Sequence, residues 1–201
     1  MYMAVPMILL TVYYESLCPD SKNFFNNQLL PVMEKLAQFI KVDLIPYGKA
    51  TTHANRNGLY KFTCQHGATE CIGNKVHACS IYRAIDDLTR IQLATCMFND
   101  NYMPYKIGEK CCNEYGINWD EVKQCVDGDE GSSLLNYFGQ LTNSLNPRIT
   151  FVPTVLINKD RSGQELILNN LLEVVTKQLK EHSPSTNRKQ RSHFVPHNCM
   201  D

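Results

Sequence analysis

The feature that most limits the possible folds is an apolar segment that leads into a cysteine and a proline. Val5 to Tyr14 is short and rich in branched and aromatic residues, which is typical of a buried strand. Cys18 and Pro19 follow, and proline is favoured at the first position of a helix because its missing N–H would have no partner there. A cysteine at such a junction lies beside the positive end of the helix dipole, which favours the nucleophilic thiolate. The segment therefore predicts a reactive thiol at a helix N-terminus.

The same apolar segment has an alternative interpretation as the remainder of a secretory signal. Met1 to Leu10 contains no Lys or Arg, and few residues would be left before the strand for a cleavable signal. We therefore interpret the segment as the first strand, and a signal peptide is not evident in this sequence.

A long helical pattern and a second strand come next. Apolar residues recur at helical spacing from Asp20 to Ile40, and Pro31 inside that pattern predicts a kink or a break. Lys41 to Pro46 then alternates as a second strand. Because a strand–helix–strand crossover is right-handed, we expect the two strands to lie parallel in one sheet.

The middle of the chain, about 49–146, loses the strand patterns and is rich in cysteine. Helical periodicity predicts one long helix over Asn74–Phe98 and shorter helices over Trp119–Val126 and Ser132–Leu145. We interpret this stretch, called the insertion below, as a helical addition to a sheet-based domain.

Strand patterns return after the insertion. Ile149–Asn158 predicts a strand, Glu165–Leu168 a short strand and Asn170–Lys180 a closing helix, while the polar, basic residues 182–201 predict a disordered tail. The order βαβ, helical insertion, ββα predicts an α/β thioredoxin-like fold, with the insertion between the second and third core strands. One domain would then span residues 1–181.

Pro153 interrupts a segment rich in Val and Ile. Proline cannot donate to a strand ladder, so one interpretation places it on an edge strand. The alternative is a cis Val152–Pro153 bond that ends the strand against the cysteine and leaves backbone groups free to hold a peptide substrate. We favour this alternative, which makes Val152 and Pro153 candidate substrate-binding residues.

Charge and cysteine content exclude several functional classes. The chain has 20 acidic residues and 20 Lys or Arg, so electrostatics gives no case for nucleic acid or a membrane surface as a partner. No apolar run is long enough to predict a membrane span. Nine cysteines without the paired C-x2-C motifs of zinc ribbons favour disulfides formed in an oxidising or secretory compartment.

A motif at residues 64–79, called the Cys64–Cys79 motif below, makes the functional prediction more specific. It reads Cys-Gln-His-Gly-Ala-Thr-Glu-Cys-Ile-Gly-Asn-Lys-Val-His-Ala-Cys. It resembles the C-Q-H-G-x2-E-C-x2-N-x4-C motif of the gamma-interferon-inducible lysosomal thiol reductase (GILT) family, and it matches all eight fixed positions. The resemblance is to an insect-like member and extends from about Val12 to Leu179; it includes Tyr13–Cys18, Cys96, Cys111, Cys125 and Val152-Pro153.

This resemblance implies a thioredoxin fold with a helical insertion. It also implies a thiol reductase that acts on disulfide-containing proteins in an endosomal, lysosomal or secreted setting, with Cys18 as the nucleophile and no bound cofactor. The chain departs from the family's C-x-x-C site, because Cys18-Pro19-Asp20-Ser21 has a serine in place of the second cysteine. Ser21 cannot resolve a mixed disulfide, so we expect an external reducing thiol, cysteine or glutathione, to complete each turnover. Ser21 would instead donate a hydrogen bond to the thiolate.

Two other functions stay compatible with the same residues. A redox-inactive thioredoxin-fold binding or holdase protein would keep the groove without turnover. An isomerase-like protein would shuffle disulfides through its lone thiol without net reduction.

Six cysteines are candidates for three structural disulfides, with 15 possible connectivities. If Asn74–Phe98 is one helix, Cys79 and Cys96 lie about 25 Å apart along its axis. A disulfide needs Cα atoms within about 7 Å, which excludes that pair. Bridges from Cys111 to Cys125 and from Cys112 to Cys199 are both compatible with the spacing. The six candidates are Cys64, Cys71, Cys79, Cys96, Cys111 and Cys125.

Two histidines, His66 and His77, fall among these cysteines. A metal-binding or general-base role is one interpretation. We instead expect both rings to be satisfied by backbone hydrogen bonds, and we expect no metal site.

Overall fold

The computed structural model describes residues 7–54 and 60–181. Its central sheet has the strand order β2-β1-β5, with β1 at Ile8–Tyr14, β2 at Ile40–Pro46 and β5 at Thr154–Ile157. Strands β1 and β2 pair in parallel along their whole length, which confirms the predicted βαβ unit. Strand β5 runs antiparallel on the other side of β1.

The crossover between β1 and β2 is a helix interrupted near Pro31, as the sequence predicts. Helix α1 spans Pro19–Phe24, a π-helical turn spans Phe25–Leu29, and helix α2 spans Leu30–Leu36 before a 3-10 turn at Ala37–Phe39. Pro31 lies in the first turn of α2, directly after the π-helical turn, and it has no N–H to continue the regular helical pairing. The Leu30 amide before it bonds the Phe25 carbonyl five residues back.

The insertion begins with a hairpin that the sequence patterns missed, β3 at Thr51–Ala54 and β4 at Tyr60–Thr63. Five helices follow before β5: α3 at Ala68–Arg83, α4 at Asp87–Met97, α5 at Pro104–Glu114, α6 at Trp119–Asp127 and α7 at Asp129–Asn143.

The predicted single helix over Asn74–Phe98 is wrong. The chain leaves the helix at Ala84, and Asp86 starts α4 as its N-cap by accepting a 2.9 Å hydrogen bond from the Thr89 amide. An aspartate at an N-cap accepts a hydrogen bond from an unpaired N–H group of a new helix. Asp86 therefore favours the start of a second helix, although the hydrophobic periodicity continues through this position.

The C-terminal part has less strand than the sequence predicts. Residues 149–153 lie outside β5, and the short strand predicted at Glu165–Leu168 is wrong because helix α8 occupies Gln164–Asn169. The Gln164 amide bonds both backbone polar groups of Val155, so these groups of β5 are already paired without another strand. Helix α9 closes the described chain at Leu171–Glu181; the predicted tail, 182–201, lies outside the described residues.

The described chain has four apolar clusters. The largest packs the sheet against α1, α2 and α9 and also against α4, and it includes Tyr14, Phe25 and Val155; the second lies within the insertion and includes Leu93 and Val122. No helix in the described ranges is long and apolar enough to cross a membrane.

Three disulfides use the six candidate cysteines: Cys64–Cys71, Cys79–Cys125 and Cys96–Cys111. The Cys111–Cys125 bridge suggested from spacing is therefore wrong, because each sulfur is bonded to a different helix. The exclusion of Cys79–Cys96 agrees with the structure, although its premise of one continuous helix does not. Cys112 is a buried free thiol, and Cys199 lies outside the described residues.

Candidate active site

Cys18 caps the N-terminus of helix α1. Its backbone is extended, Pro19 occupies the first turn, and its Sγ accepts a hydrogen bond from the Ser21 amide at 3.4 Å. The residue is 6% exposed, while Pro19 and Asp20 beside it are exposed. The start of the helix therefore directs a backbone N–H group at the sulfur.

The segment before β5 meets the same sulfur from the other side. The Val152–Pro153 bond is cis, as the sequence argument favours. The Cys18 thiol faces the Val152 carbonyl oxygen at 3.6 Å, and Val152 and Pro153 are both buried. The neighbouring Phe151 is 42% exposed. The Cys18–Ser21 turn and the Val152–Pro153 bond are thus brought together, although more than 130 residues of sequence separate the two segments.

The Ser21 hydroxyl has a different partner from the one we expected. Its Oγ accepts a hydrogen bond from the Glu15 amide at 3.4 Å, and it is the Ser21 backbone N–H that reaches Cys18. Ser21 is fully buried. Within the described ranges, the remaining free thiol is Cys112, whose sulfur lies 3.5 Å from the Ser80 hydroxyl in the insertion.

The Cys64–Cys79 motif lies directly behind the Cys18 loop. The Ser16 amide donates to the Asn74 side-chain oxygen at 2.9 Å, and the Ser16 hydroxyl donates to the Glu70 carbonyl at 3.2 Å. A Cβ on Gly73 would come within 2.5 Å of the Ser16 hydroxyl, so a glycine is needed for this close approach. Helix α3 therefore holds the loop that carries Cys18.

Glu15 is a fully buried carboxylate in the same contact between the Cys18 loop and the start of α3. Its Oε1 accepts a 2.6 Å hydrogen bond from the Lys49 amide, and its Oε2 lies 3.6 Å from His66 Nδ1. Burial raises the pKa of Glu15, and the negative charge of Glu70 adds to this effect; the Lys49 amide and the positive charge of His66 oppose it. The group of Glu15, His66 and Glu70 is the one place in the described ranges where three such side chains could hold a metal ion.

His77 contacts the sheet core, and neither histidine ring has the backbone partner that we expected. His77 Nδ1 lies 3.1 Å from the Tyr14 hydroxyl, whereas His66 Nδ1 lies 2.5 Å from the Glu70 carboxylate. Burial lowers the pKa of His77 to about 3 and raises the pKa of Tyr14. The imidazole is therefore neutral at physiological pH, and the ring tautomer decides whether the Tyr14 hydroxyl or Nδ1 is the donor.

Sequence reasoning named Cys18, Ser21, Val152 and Pro153 but assigned no role to the residues behind them. Glu15 and Ser16 lie in the stretch that carries Cys18, and Glu70 and Asn74 are fixed positions of the Cys64–Cys79 motif. The signal that could have identified Glu70 and Asn74 is that polar residues occupy fixed positions of the motif. Their partners lie more than 50 residues away, so only the packing of α3 against the loop pairs them.

Comparison with known proteins gives the family. Residues 9–115 match the family model "Gamma interferon inducible lysosomal thiol reductase (GILT)". A "Gamma-interferon-inducible lysosomal thiol reductase-like protein" of Anopheles gambiae is 36% identical over 84% of this chain and 75% of that protein. "GILT-like protein 1" of Drosophila melanogaster is 32% identical over 87% and 76% respectively. The "Gamma-interferon-inducible lysosomal thiol reductase" of Carassius auratus is 33% identical over 89% and 71%.

Solved structures agree on the fold. The crystal structure of DsbA from Chlamydia trachomatis superposes with a TM-score of 0.61 at 9% identity, over 96% of this chain and 92% of that one. A thioredoxin-like oxidoreductase from Silicibacter pomeroyi gives 0.56 at 8% identity, over 88% of each chain. The architecture is thus α/β and thioredoxin-like, and the chain belongs to the gamma-interferon-inducible lysosomal thiol reductase family.

Proposed function

We propose that the protein reduces disulfides of protein substrates through Cys18 as a single thiol, with an external thiol completing each cycle. The supporting observation is a free cysteine at a helix N-terminus, bonded to the Ser21 amide and facing the carbonyl of Val152. Membership of a thiol reductase family supports the class of reaction. The serine at position 21 separates this chain from a two-cysteine reductase.

In the first step, the Cys18 thiolate attacks one sulfur of a substrate disulfide. A bond forms between Cys18 Sγ and that sulfur, the substrate disulfide breaks, and the other substrate sulfur leaves as a thiolate that takes up a proton. The Ser21 amide, which donates a hydrogen bond to the Cys18 sulfur, holds that sulfur at the start of the helix. The backbone around Val152 and Pro153 would position the substrate chain across the sulfur.

In the second step, an external thiolate such as cysteine or glutathione attacks the Cys18 sulfur of the mixed disulfide. This releases the substrate's second thiol and leaves the external thiol bonded to Cys18; another external thiol then frees Cys18. Two external thiols become one disulfide, and one substrate disulfide becomes two thiols, so atoms and electrons balance. Ser21 has no sulfur with which to shorten this route.

The setting that fits is an endosomal, lysosomal or secreted one. Three disulfides are characteristic of proteins that fold in an oxidising compartment, and the relatives from Carassius auratus and Mus musculus are named lysosomal thiol reductases. The partners would be unfolded or flexible proteins whose disulfides can reach Cys18.

A trapping experiment tests this proposal. Incubated with a disulfide-bonded peptide and no reductant, the wild-type chain should accumulate a one-to-one mixed disulfide at Cys18, measured by mass spectrometry. Added cysteine should release the peptide in reduced form. Ser21→Cys should not accumulate the adduct, because a second thiol two residues beyond Pro19 resolves it within the chain.

Cys18→Ala should lose both adduct formation and cysteine-dependent reduction. The matched control is Cys112→Ala, which removes the other described free thiol and should retain both activities. Reduction that persists in Cys18→Ala would overturn the proposal. A wild-type chain that captures partner proteins without forming any adduct would instead support the redox-inactive binding function.

A further inference from the structure

Three side chains converge behind the Cys18 loop without touching the sulfur. Glu15 follows β1, His66 precedes α3, and Glu70 lies in the first turn of α3. One ligand atom from each, a carboxylate oxygen or the His66 Nδ1, can be chosen so that all three lie within 4.8 Å of one another. Both glutamates are fully buried, and the His66 side chain is 34% exposed.

The two carboxylates are held in the same way. Each uses Oε1 to accept a backbone N–H, Glu15 from Lys49 at 2.6 Å and Glu70 from His66 at 3.1 Å. Each then directs Oε2 at His66 Nδ1, from 3.6 Å for Glu15 and 2.5 Å for Glu70. The backbone thus fixes one oxygen of each pair, and the other oxygen faces a shared point.

One of these atoms lacks a hydrogen bond. Glu15 Oε2 is buried and has no hydrogen-bond partner among the described residues. Gly48 packs directly against this carboxylate, since a Cβ at position 48 would lie 2.4 Å from Glu15 Oε1. A buried carboxylate oxygen without a donor is costly, and a bound cation is one of the few partners that offsets this cost.

We propose that Glu15, His66 and Glu70 form a binding site for a Zn²⁺ ion, with a water molecule as the fourth ligand on the exposed side of His66. The ion ties the loop before Cys18 to the start of α3 and takes no part in disulfide exchange. The sequence alone led us to expect no metal, because its cysteines lack zinc-ribbon spacing. The ligands proposed here are instead one histidine and two carboxylates, and the fold brings Glu15 next to the other two.

The donor set distinguishes zinc from other cations. Ca²⁺ and Mg²⁺ take six or more ligands, nearly all oxygen, whereas only two carboxylate oxygens face this site. An imidazole nitrogen with two carboxylate oxygens and a water completes the four-coordinate shell that zinc prefers. In such a shell neighbouring ligand atoms lie about 3.3 Å apart. The 3.6 Å pair is already close to this value, and the 2.5 Å pair has to open by under about 1 Å, which the partly exposed His66 allows.

Zinc titration of the full chain tests the site, with all free thiols first blocked by iodoacetamide so that they cannot bind the metal. Calorimetry should give one tight Zn²⁺ site per chain. His66→Ala and Glu70→Gln should each weaken it by at least about tenfold, since loss of even an outer partner of a metal ligand has that effect. The matched control is His53→Ala, because His53 is an exposed histidine on β3.

Two outcomes would overturn the proposal: no tight site in the wild type, or an unchanged affinity in both His66→Ala and Glu70→Gln. Circular dichroism establishes that each variant is folded, and His66→Ala is the milder change because the ring is partly exposed. Co²⁺ gives a second measurement. Its spectrum should lack the intense near-ultraviolet charge-transfer band of a cobalt–thiolate bond, and that band would place the metal on a cysteine instead. These results are independent of whether Cys18 reduces substrates.

Discussion

The sheet unit and the insertion are stabilised by different means. In the sheet unit, residues 8–46 and 154–181, apolar packing joins β1, β2 and β5 to the helices, and its one cysteine, Cys18, is free. In the insertion, all three disulfides lie between Cys64 and Cys125. Five cysteines, including four of the bonded ones, are part of the insertion's own apolar core.

This difference places the free Cys18 thiol in one region and the bonded sulfurs in the other. A thiolate exchanges with any disulfide that it can reach, so a nucleophile placed among structural bridges would scramble them. Here Cys18 faces the Val152 carbonyl and the Ser21 amide, whereas the bridges join helices of the insertion to one another or close the turn before α3. The two regions meet through apolar packing, such as that of Phe98 against Tyr14 and Phe25. They also share polar contacts, chiefly Asn74 with Ser16 and His77 with Tyr14.

The largest effect is expected from the bridge that spans the insertion. The double variant Cys79→Ala/Cys125→Ala opens a link across a sequence separation of 46, and the chain-entropy model gives a loss of about 4 kcal/mol in the free energy of unfolding. Urea denaturation followed by Trp119 fluorescence measures it, because the single tryptophan lies on α6 in the insertion.

The matched control for this prediction is Cys64→Ala/Cys71→Ala, which also removes two sulfurs but spans a separation of only 7. The same model gives about 2.4 kcal/mol for this bridge. Equal losses in the two double variants would contradict the dependence on loop length, and with it the explanation through the entropy of the unfolded chain.

The next effect concerns the contact between the regions and depends on pH. Burial lowers the pKa of His77 to about 3 from an ordinary value of 6.5, so the unfolded chain binds a proton that the folded chain excludes. Stability from this group is complete above pH 6.5 and falls as the pH drops towards 3. At pH 4.5 the loss is about 3 kcal/mol, and His77→Gln, whose amide can accept from or donate to the Tyr14 hydroxyl, should lack it.

Urea denaturation at pH 7 and pH 4.5 measures this prediction. The difference between the two pH values should be smaller in His77→Gln than in the wild type, whereas the exposed-histidine control His53→Gln should match the wild type. The raised pKa of Glu15 acts in the opposite direction, since protonation of that carboxyl favours the folded state, but it is present in all three chains and cancels. An unchanged pH dependence in His77→Gln would contradict a neutral buried His77.

The same comparison explains what the sequence predicts. In the sheet unit, the alternation in β2, the apolar run of β1 and the helix start at Pro19 are local signals, so the parallel βαβ unit and the position of Cys18 are predictable. In the insertion, the helical pattern of 74–98 continues through Ala84, and the break depends on the capping bond of Asp86.

The candidate site divides in the same way. Cys18 and Pro153 each carry a local signal, a helix start and a disfavoured proline, and the structure places them together. The roles of Glu15 and Asn74 have no local signal, because their partners belong to a different region of the chain. Disulfide partners are equally non-local, since six cysteines have 15 possible connectivities and only the packing of the helices selects one.

The smallest effect tests whether the insertion holds the Cys18 loop. Asn74 is fully buried, and Asn74→Ala removes the acceptor of the Ser16 amide, which lies two residues before Cys18. A buried N–H left without a partner costs about 2 kcal/mol, and the freed loop should also change the rate at which iodoacetamide alkylates Cys18.

The matched control is Asn101→Ala, which removes a 2.9 Å bond to the Ser16 carbonyl at a partly buried position, and should cost about 1 kcal/mol. A larger cost or a larger change in alkylation for Asn101→Ala would show that the loop is held from the α4–α5 connection and not from the Cys64–Cys79 motif.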